Sequence, residues 1–256
     1  MVDLASRLRA AGCVFAEDEA AILESAAESP EHLERMAARR VDGEPLEYIV
    51  GYADFRGLRI AVATGVFVPR QRTGFLVECA IDRIRPSEVL LDLCCGAGAI
   101  GAAVAAAVPG IELHASDIDP IAVDCARANL PATASTYVGD LFSPLPAGLA
   151  GRIQVLTANV PYVPRDEIDM MPPEARLHER PSALDGGDDG LDVLRQVAAS
   201  APSWLRPCGH LLVETSEAQA PTAIEIMRSA GLTASAHESE DLFATVVIGT
   251  RGPAQT

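Results

Sequence analysis

The stretch Leu91-Asp-Leu-Cys-Cys-Gly-Ala-Gly98 constrains the fold of this chain more than any other. Val89 to Leu93 is a short apolar strand carrying one acid, Asp92, and Cys94 to Gly98 is a loop of small residues. Ala99 to Val108 is an alanine-rich run of helical character. A buried strand that empties into a glycine loop and then a helix opens a parallel α/β unit, because parallel neighbours need a crossover. Glycines there let backbone approach a ligand closely, and the helix N-terminus offers unpaired N–H groups.

The alternation continues downstream. Strands are expected at Ile111–Ser116, Ser135–Val138, Ile153–Ala158, Gly209–Glu214 and Leu242–Ile248. Helices are expected at 119–129, from 190 to 205 after a loop rich in proline and acid, and at 218–230. This pattern predicts an α/β protein with a mostly parallel, doubly wound, Rossmann-like sheet covered on both faces. Upstream, Leu4, Leu8, Ala11 and Phe15, then Ala20, Leu23 and Ala27, recur at helical spacing from Val2 to about Arg40. Ser29-Pro30-Glu31 reads as a helix start. Between these regions Gly57 separates two short alternating segments, which predicts a β-hairpin. The expected division is an N-terminal helical domain over 1–42, a β-hairpin linker over 43–72 and the sheet domain over 73–256.

Charge and cysteine usage narrow the partners. The chain has 36 acidic against 20 basic residues, a formal net charge of −16. That balance opposes a nucleic-acid or anionic-membrane partner, both of which are gripped through Lys and Arg. None of the six cysteines forms a Cys-x-x-Cys pair or a cluster with zinc spacing, so reduced thiols and no metal are expected. Met1-Val-Asp-Leu-Ala-Ser-Arg7 lacks the apolar core of a secretory leader, and no uncharged apolar run is long enough to span a bilayer, the nearest, Leu93 to Ile111, being broken by Gly96, Gly98, Gly101, Pro109 and Gly110. A cytoplasmic protein is expected.

The chemistry-bearing residues fall at strand ends. The second strand ends at Asp117, followed by Ile118, and an acid at that place can take both hydroxyls of a ribose. Gly96-Ala-Gly-Ala-Ile-Gly101 matches a dinucleotide fingerprint literally, so a nicotinamide cofactor has to be weighed. Three features favour S-adenosylmethionine instead. Asp92, inside the strand before the loop, suits an ammonium group rather than a pyrophosphate. Asp140, with Leu141 in Gly139-Asp-Leu-Phe142, follows the third strand and can accept from an adenine N6 amine. The fourth strand ends in Asn159-Val160-Pro161-Tyr162, which has no role in hydride transfer. Asn159 carries an amide that can both donate and accept, Pro161 holds Val160 extended, and Tyr162 offers an aromatic wall. Such a cluster could grip a planar amide or amine and leave its nitrogen lone pair free.

On these residues the chain resembles the class I S-adenosylmethionine-dependent methyltransferases. In particular it resembles the family that methylates the glutamine side-chain amide of peptide release factors. The likeness covers nearly the whole chain. Pro45-Leu-Glu-Tyr-Ile-Val-Gly51 with Phe55-Arg-Gly-Leu58 is similar to that family's hairpin, and Val68-Pro-Arg-Gln-Arg-Thr73 to its Pro-Arg-x-x-Thr-Glu segment. Asp92 to Ile100, Ala115 to Pro120 and Gly139 to Phe142 are similar to its cofactor motifs. Pro173-Glu-Ala-Arg176 and Glu179 to Leu191 resemble the tail of its site.

The resemblance implies roles. Cys94, Cys95, Gly96, Ala97 and Gly98 would wrap the methionine part of the cofactor, Asp117 would hold the ribose, and Asp140 and Leu141 would border the adenine. Arg70 and Thr73 would close over the site, with Phe67 and Ile118 completing the cofactor set. Asn159 and the Val160 carbonyl would hold the substrate amide against Tyr162. The sequence also departs from the pattern: the family's Asn-Pro-Pro-Tyr is Asn-Val-Pro-Tyr, Gly74 replaces a glutamate, and its Glu-Ile-Gly is Glu214-Thr-Ser216. The expected acceptor is a protein glutamine, as in a release factor. The alternatives are a small-molecule or peptide amide or amine, a nucleic-acid adenine N6, and a non-catalytic cofactor-binding protein.

Overall fold

A computed structural model describes residues 3–254; Met1 and Val2, where the expected helical pattern begins, lie outside the described residues. The chain opens with α1 (Leu4–Ala10), α2 (Ala16–Ala26) and α3 (Pro30–Val41). Asp3 caps α1 by accepting from the Ser6 N–H at 2.8 Å, and Ser29 caps α3 ahead of Pro30. Leu8, Ala16, Ala20, Leu23 and Met36 meet in one apolar cluster. A short helix, α4 (Leu46–Val50), follows where the sequence suggested only a lead-in to the hairpin. Its Ile49 packs into the N-terminal cluster, whereas Tyr48 packs into the main core and donates to the Val66 carbonyl at 2.7 Å. The helical core therefore continues past residue 42.

β1 (Tyr52–Phe55) and β2 (Leu58–Ala61) form the expected antiparallel hairpin. Its two turn residues, Arg56 and Gly57, both take positive φ, 49° and 79°, as a tight hairpin of this twist requires. Phe55 and Ile60 are fully buried against the next unit.

After α5 (Gly74–Ile81) the doubly wound region begins: β3 (Val89–Leu93), α6 (Ala99–Ala107), β4 (Glu112–Asp117), α7 (Pro120–Asn129), β5 (Ser135–Val138) and β6 (Ile153–Ala158). It ends with α8 (Pro173–His178), α9 (Asp192–Trp204), β7 (Leu205–Thr215), α10 (Ala220–Ser229), β8 (Leu232–Ser239) and β9 (Ala244–Arg251). The sheet order is β5-β4-β3-β6-β7-β9-β8. The first five strands are parallel, and β9 runs antiparallel between β7 and β8. β8 was not expected from sequence. Its Leu-Thr-Ala-Ser-Ala-His-Glu-Ser carries a single β-branched residue, Thr233, and no Phe, Tyr or Trp, and pairing with β9 along eight positions makes it a strand.

β3 is buried at every position, as a central parallel strand should be. Leu90 packs toward α5 and α6 on one face, and Leu91 and Leu93 pack toward α9 on the other. From β3 the chain moves outward to β4 and β5, then returns to lay β6 on the opposite side of β3. The carboxyl ends of β3 and β6 thus meet at a switch point, with Leu93 opposite Ala158, and a crevice opens beyond them. No helix among the described residues is long and apolar enough to cross a membrane.

Candidate active site

The crevice is one cavity, and four of the segments that wall it carry the residues expected from sequence. Cys94, Cys95, Gly96 and Ala97 come from the glycine loop, Asp117 and Ile118 from the end of β4, and Asn159 to Tyr162 from the end of β6. Phe67, Arg70 and Thr73 come from the strip that leads into α5.

The glycine loop is wound through left-handed backbone at Cys94 (φ 53°), Gly96 (φ 53°) and Gly98 (φ 78°). A cysteine in that region costs on the order of 1 kcal/mol and is held there by its surroundings. Cys95 N–H donates to the Ser116 carbonyl at 3.1 Å, and Gly96 N–H donates to Asp117 Oδ2 at 2.9 Å. Ala97, Ala99 and Ile100 line the cavity, and their N–H groups have no backbone partner among the described residues. Burial pushes the Cys94 and Cys95 thiols up, so they act as neutral walls rather than nucleophiles. Asp117 Oδ1 accepts from the Asp119 N–H at 2.9 Å. Burial raises the Asp117 carboxyl above its ordinary range, opposed by these two N–H bonds.

Asn159 is half-buried on the opposite wall. Neither its side-chain amide nor the Val160 carbonyl accepts or donates a hydrogen bond among the described residues. Tyr162, by contrast, is fully engaged. Its hydroxyl donates to Glu214 Oε1 at 3.0 Å and accepts from Arg72, while Gln219 Nε2 donates to its carbonyl at 2.9 Å. Burial and the Glu214 carboxylate push the phenol up, so it stays a donor. The Val160 side chain is 2% exposed and joins the apolar cluster of Leu93 and Leu191.

The segment from Pro164 to Gly190 folds over the cavity mouth. Its anchor is Glu179, whose Oε1 accepts from the Val68 N–H at 3.1 Å and from Arg70 Nη2 at 2.7 Å. Next to it Arg180 reaches Asp119 Oδ2 at 3.1 Å. Thr73 Oγ1 is buried on the wall with no hydrogen-bond partner among the described residues. The acids Asp185 and Asp189 are taken up by the Gly187 and Leu191 N–H groups and by Arg165 and Arg195.

This donor set fits S-adenosylmethionine. Free N–H groups at the start of α6 suit its carboxylate. Asp117 retains lone pairs for a diol, and the Phe67, Ile118 and Cys94 surfaces are apolar.

Residues 58–169 match the family model described as the methyltransferase small domain. The chain is 39% identical over 207 residues to the release factor glutamine methyltransferase of Gloeobacter violaceus, covering 77% of this chain and 71% of that protein. It is 39% identical over 189 residues to the Streptomyces coelicolor protein of the same name, covering 72% and 67%. The chain belongs to the release factor glutamine methyltransferase family. It is accordingly an S-adenosylmethionine-dependent methyltransferase. The fold is shared with a methyltransferase crystal structure from Pyrococcus furiosus, with a TM-score of 0.58 at 15% identity over 86% of this chain and 99% of that one.

Within this family member, the cavity gathers thirteen of the seventeen residues expected from sequence, and four stand apart from its lining. Asp92 is fully buried one layer down, accepting from Thr157 Oγ1 at 2.8 Å and Gly101 N–H at 3.2 Å. Its strand position turns it toward α6 rather than into the crevice. Gly98 serves packing: a Cβ there would stand 3.0 Å from the Ala126 backbone of α7. Asp140 is exposed, and Leu141, at φ 44°, is tied by its carbonyl to Ser116 Oγ at 3.3 Å. Both follow the end of β5, outside the cavity lining.

Several lining residues were not singled out from sequence: Arg72, Arg180, Ser182 and Leu184. The last three lie within the Glu179 to Leu191 motif, so the signal was present without a geometry to sort it. Gly74, the departure after Thr73, leaves room for Arg56. A Cβ there would lie 3.3 Å from Arg56 Nη1, which donates to the Gly74 carbonyl at 3.1 Å and to Glu78 at 2.8 Å.

Proposed function

We propose that this protein methylates the side-chain amide nitrogen of a glutamine in a peptide release factor, through Asn159 and Val160. The observation that carries the reading is the shared cavity. Two unpartnered amide-binding acceptors, the Asn159 side chain and the Val160 carbonyl, face the same space as the glycine loop and Asp117. The relatives' names supply the acceptor. The excess of 36 acidic over 20 basic residues opposes a nucleic-acid acceptor.

An amide nitrogen is a poor nucleophile, because its lone pair is delocalised into the carbonyl. When bound, S-adenosylmethionine supplies a methyl group on a sulfonium centre that leaves as a neutral sulfide, so no general acid is required. Once the N–CH3 bond has formed the nitrogen gives up one proton to solvent, and what remains for the chain is to orient the nitrogen beforehand. Asn159 Oδ1 and the Val160 carbonyl can each accept one N–H of the amide, fixing its plane and leaving the lone pair toward the cofactor side. The same two acceptors stabilise the positive charge that grows on nitrogen as the bond forms. The Tyr162 ring, held by Glu214 and Arg72, is a fixed wall for that plane. Replacing proline by valine at position 160 keeps the carbonyl, so the clamp survives the departure.

The test is incubation of the purified protein with a release factor and labelled S-adenosylmethionine, followed by tandem mass spectrometry. One methyl group on one glutamine side chain is expected. Label on no residue of the factor, or on a residue other than glutamine, contradicts the reading.

A further inference from the structure

A second cleft lies behind Tyr162 and Arg72, which it shares with the active-site cavity. Its floor is the carboxyl end of β7, and its rim is the turn between β8 and β9. The strand register assembles it, because Thr245 of β9 stands opposite both Thr215 of β7 and Glu238 of β8. Glu214, Glu217, Glu238 and Glu240 all line it. Arg72 is the one basic side chain in the lining, and it is already committed to Glu214 Oε1 at 3.2 Å and to the Tyr162 hydroxyl.

Two observations distinguish this cleft from a solvated acidic surface. Glu214 is 2% exposed, and its Oε2 has no hydrogen-bond partner among the described residues. A buried carboxylate oxygen left unpaired is costly. It is tolerated when a ligand supplies the missing donor. The second is Phe243 on the rim, 90% exposed and held at φ 48°. A bulky residue in that backbone region is rare and presents its ring to solvent at the cleft mouth.

We propose that this cleft binds an arginine side chain of the acceptor polypeptide, close in sequence to the amide held at Asn159. Four carboxylates against one engaged guanidinium call for a cation. The exposed ring of Phe243 favours a planar guanidinium, which stacks on aromatic faces, over an ammonium. Glu238 and Glu240, both exposed, provide the steering charge, and Glu214, buried on the cleft floor beside Arg72 and Tyr162, provides the inner carboxylate. Because Tyr162 forms the wall between the two cavities, a bound arginine and a clamped amide would report on one another through a single side chain.

This inference rests on a polypeptide acceptor at Asn159, and its test is a binding measurement that does not require turnover. A set of heptapeptides with a central glutamine carries one arginine at each other position in turn. Matched peptides carry citrulline, which is neutral and nearly isosteric. Calorimetric titration in the presence of S-adenosylhomocysteine should show at least one arginine peptide binding about tenfold tighter than its citrulline partner, a 1.4 kcal/mol difference. That preference should fall to about twofold or less in Glu238→Gln/Glu240→Gln, whose exposed positions leave folding intact, and in Glu214→Gln. Equal binding of every arginine and citrulline pair, or a preference that survives all three substitutions, overturns the proposal. A peptide that shows the preference yet takes no methyl from the wild-type protein counts against glutamine methylation alone.

Discussion

Thr157 Oγ1 donates a 2.8 Å hydrogen bond to Asp92 Oδ1 from the neighbouring strand, in register. With the Gly101 N–H on the other oxygen, this bond ties β3, β6 and the first turn of α6 together directly beneath the cofactor loop. Asp92 is a support for the loop. Burial is the largest influence on its carboxyl, which is pushed up to about 7 from 3.8. The folded state therefore binds this proton more readily than the unfolded state between those values. The sign follows directly: Asp92 favours folding most below about pH 4, and that contribution is lost as pH rises toward 7. Denaturant melts of wild type and Asp92→Asn at about pH 5 and about pH 7 should show the variant gaining on wild type as pH rises. A constant difference between the two proteins would contradict the assignment.

Asp117 anchors the loop from the other side through the Gly96 N–H. Asp117→Ala removes that anchor and the acceptor expected to hold the ribose. Cofactor affinity should fall by about ten- to a hundredfold, the range of one or two charge-assisted hydrogen bonds. Calorimetric titration with S-adenosylmethionine measures it, and unchanged affinity would remove Asp117 from the cofactor site.

Glu179 is buried, and its carboxylate is the tie between the mouth-covering segment and the Val68–Arg70 strip. Removing one partner of a buried pair costs about 3–5 kcal/mol, part of which the half-exposed Arg70 recovers from solvent. Glu179→Ala should lower the melting temperature and open residues 164–190 to limited proteolysis. A cleavage pattern identical to wild type would show that the tie does not hold the segment.

Tyr162→Phe removes a hydroxyl that both donates to Glu214 and accepts from Arg72. The ring remains as a wall, but nothing fixes its far edge. Methyl transfer should drop about tenfold in kcat/KM with cofactor affinity unchanged, in line with about 1–1.5 kcal/mol for such a bond. Loss of cofactor affinity in step with activity would place Tyr162 on the wrong side of the cavity.

The core of this fold was legible because its signals are local. Val89 to Leu93 followed by Gly96 and Gly98 can hardly be read otherwise, and the strand ends at Asp117 and Asn159 follow from hydrophobic runs. β8 was missed because Thr233 to Ser239 carry little strand propensity and become a strand through their partner. The helix at Leu46–Val50 is too short for periodicity to reveal. In the sequence Asp92 and Gly98 look like cofactor contacts, because a sequence gives the residue's place along the chain but not the face it turns to. Asp92 faces α6, and Gly98 faces Ala126 of α7. The second cleft was invisible for a related reason. Glu214 and Glu238 are distant in sequence and meet only through the register of β7, β9 and β8.

The central claim is that Asn159 clamps the acceptor amide without holding the cofactor. The most direct test compares Asn159→Ala with wild type in two assays on the same preparation: single-turnover methyl transfer to a release factor, and calorimetric binding of S-adenosylmethionine. Transfer is expected to fall by about a hundredfold or more while cofactor affinity stays within about twofold. Transfer that persists near the wild-type rate, or cofactor affinity that falls as far as transfer does, would contradict it.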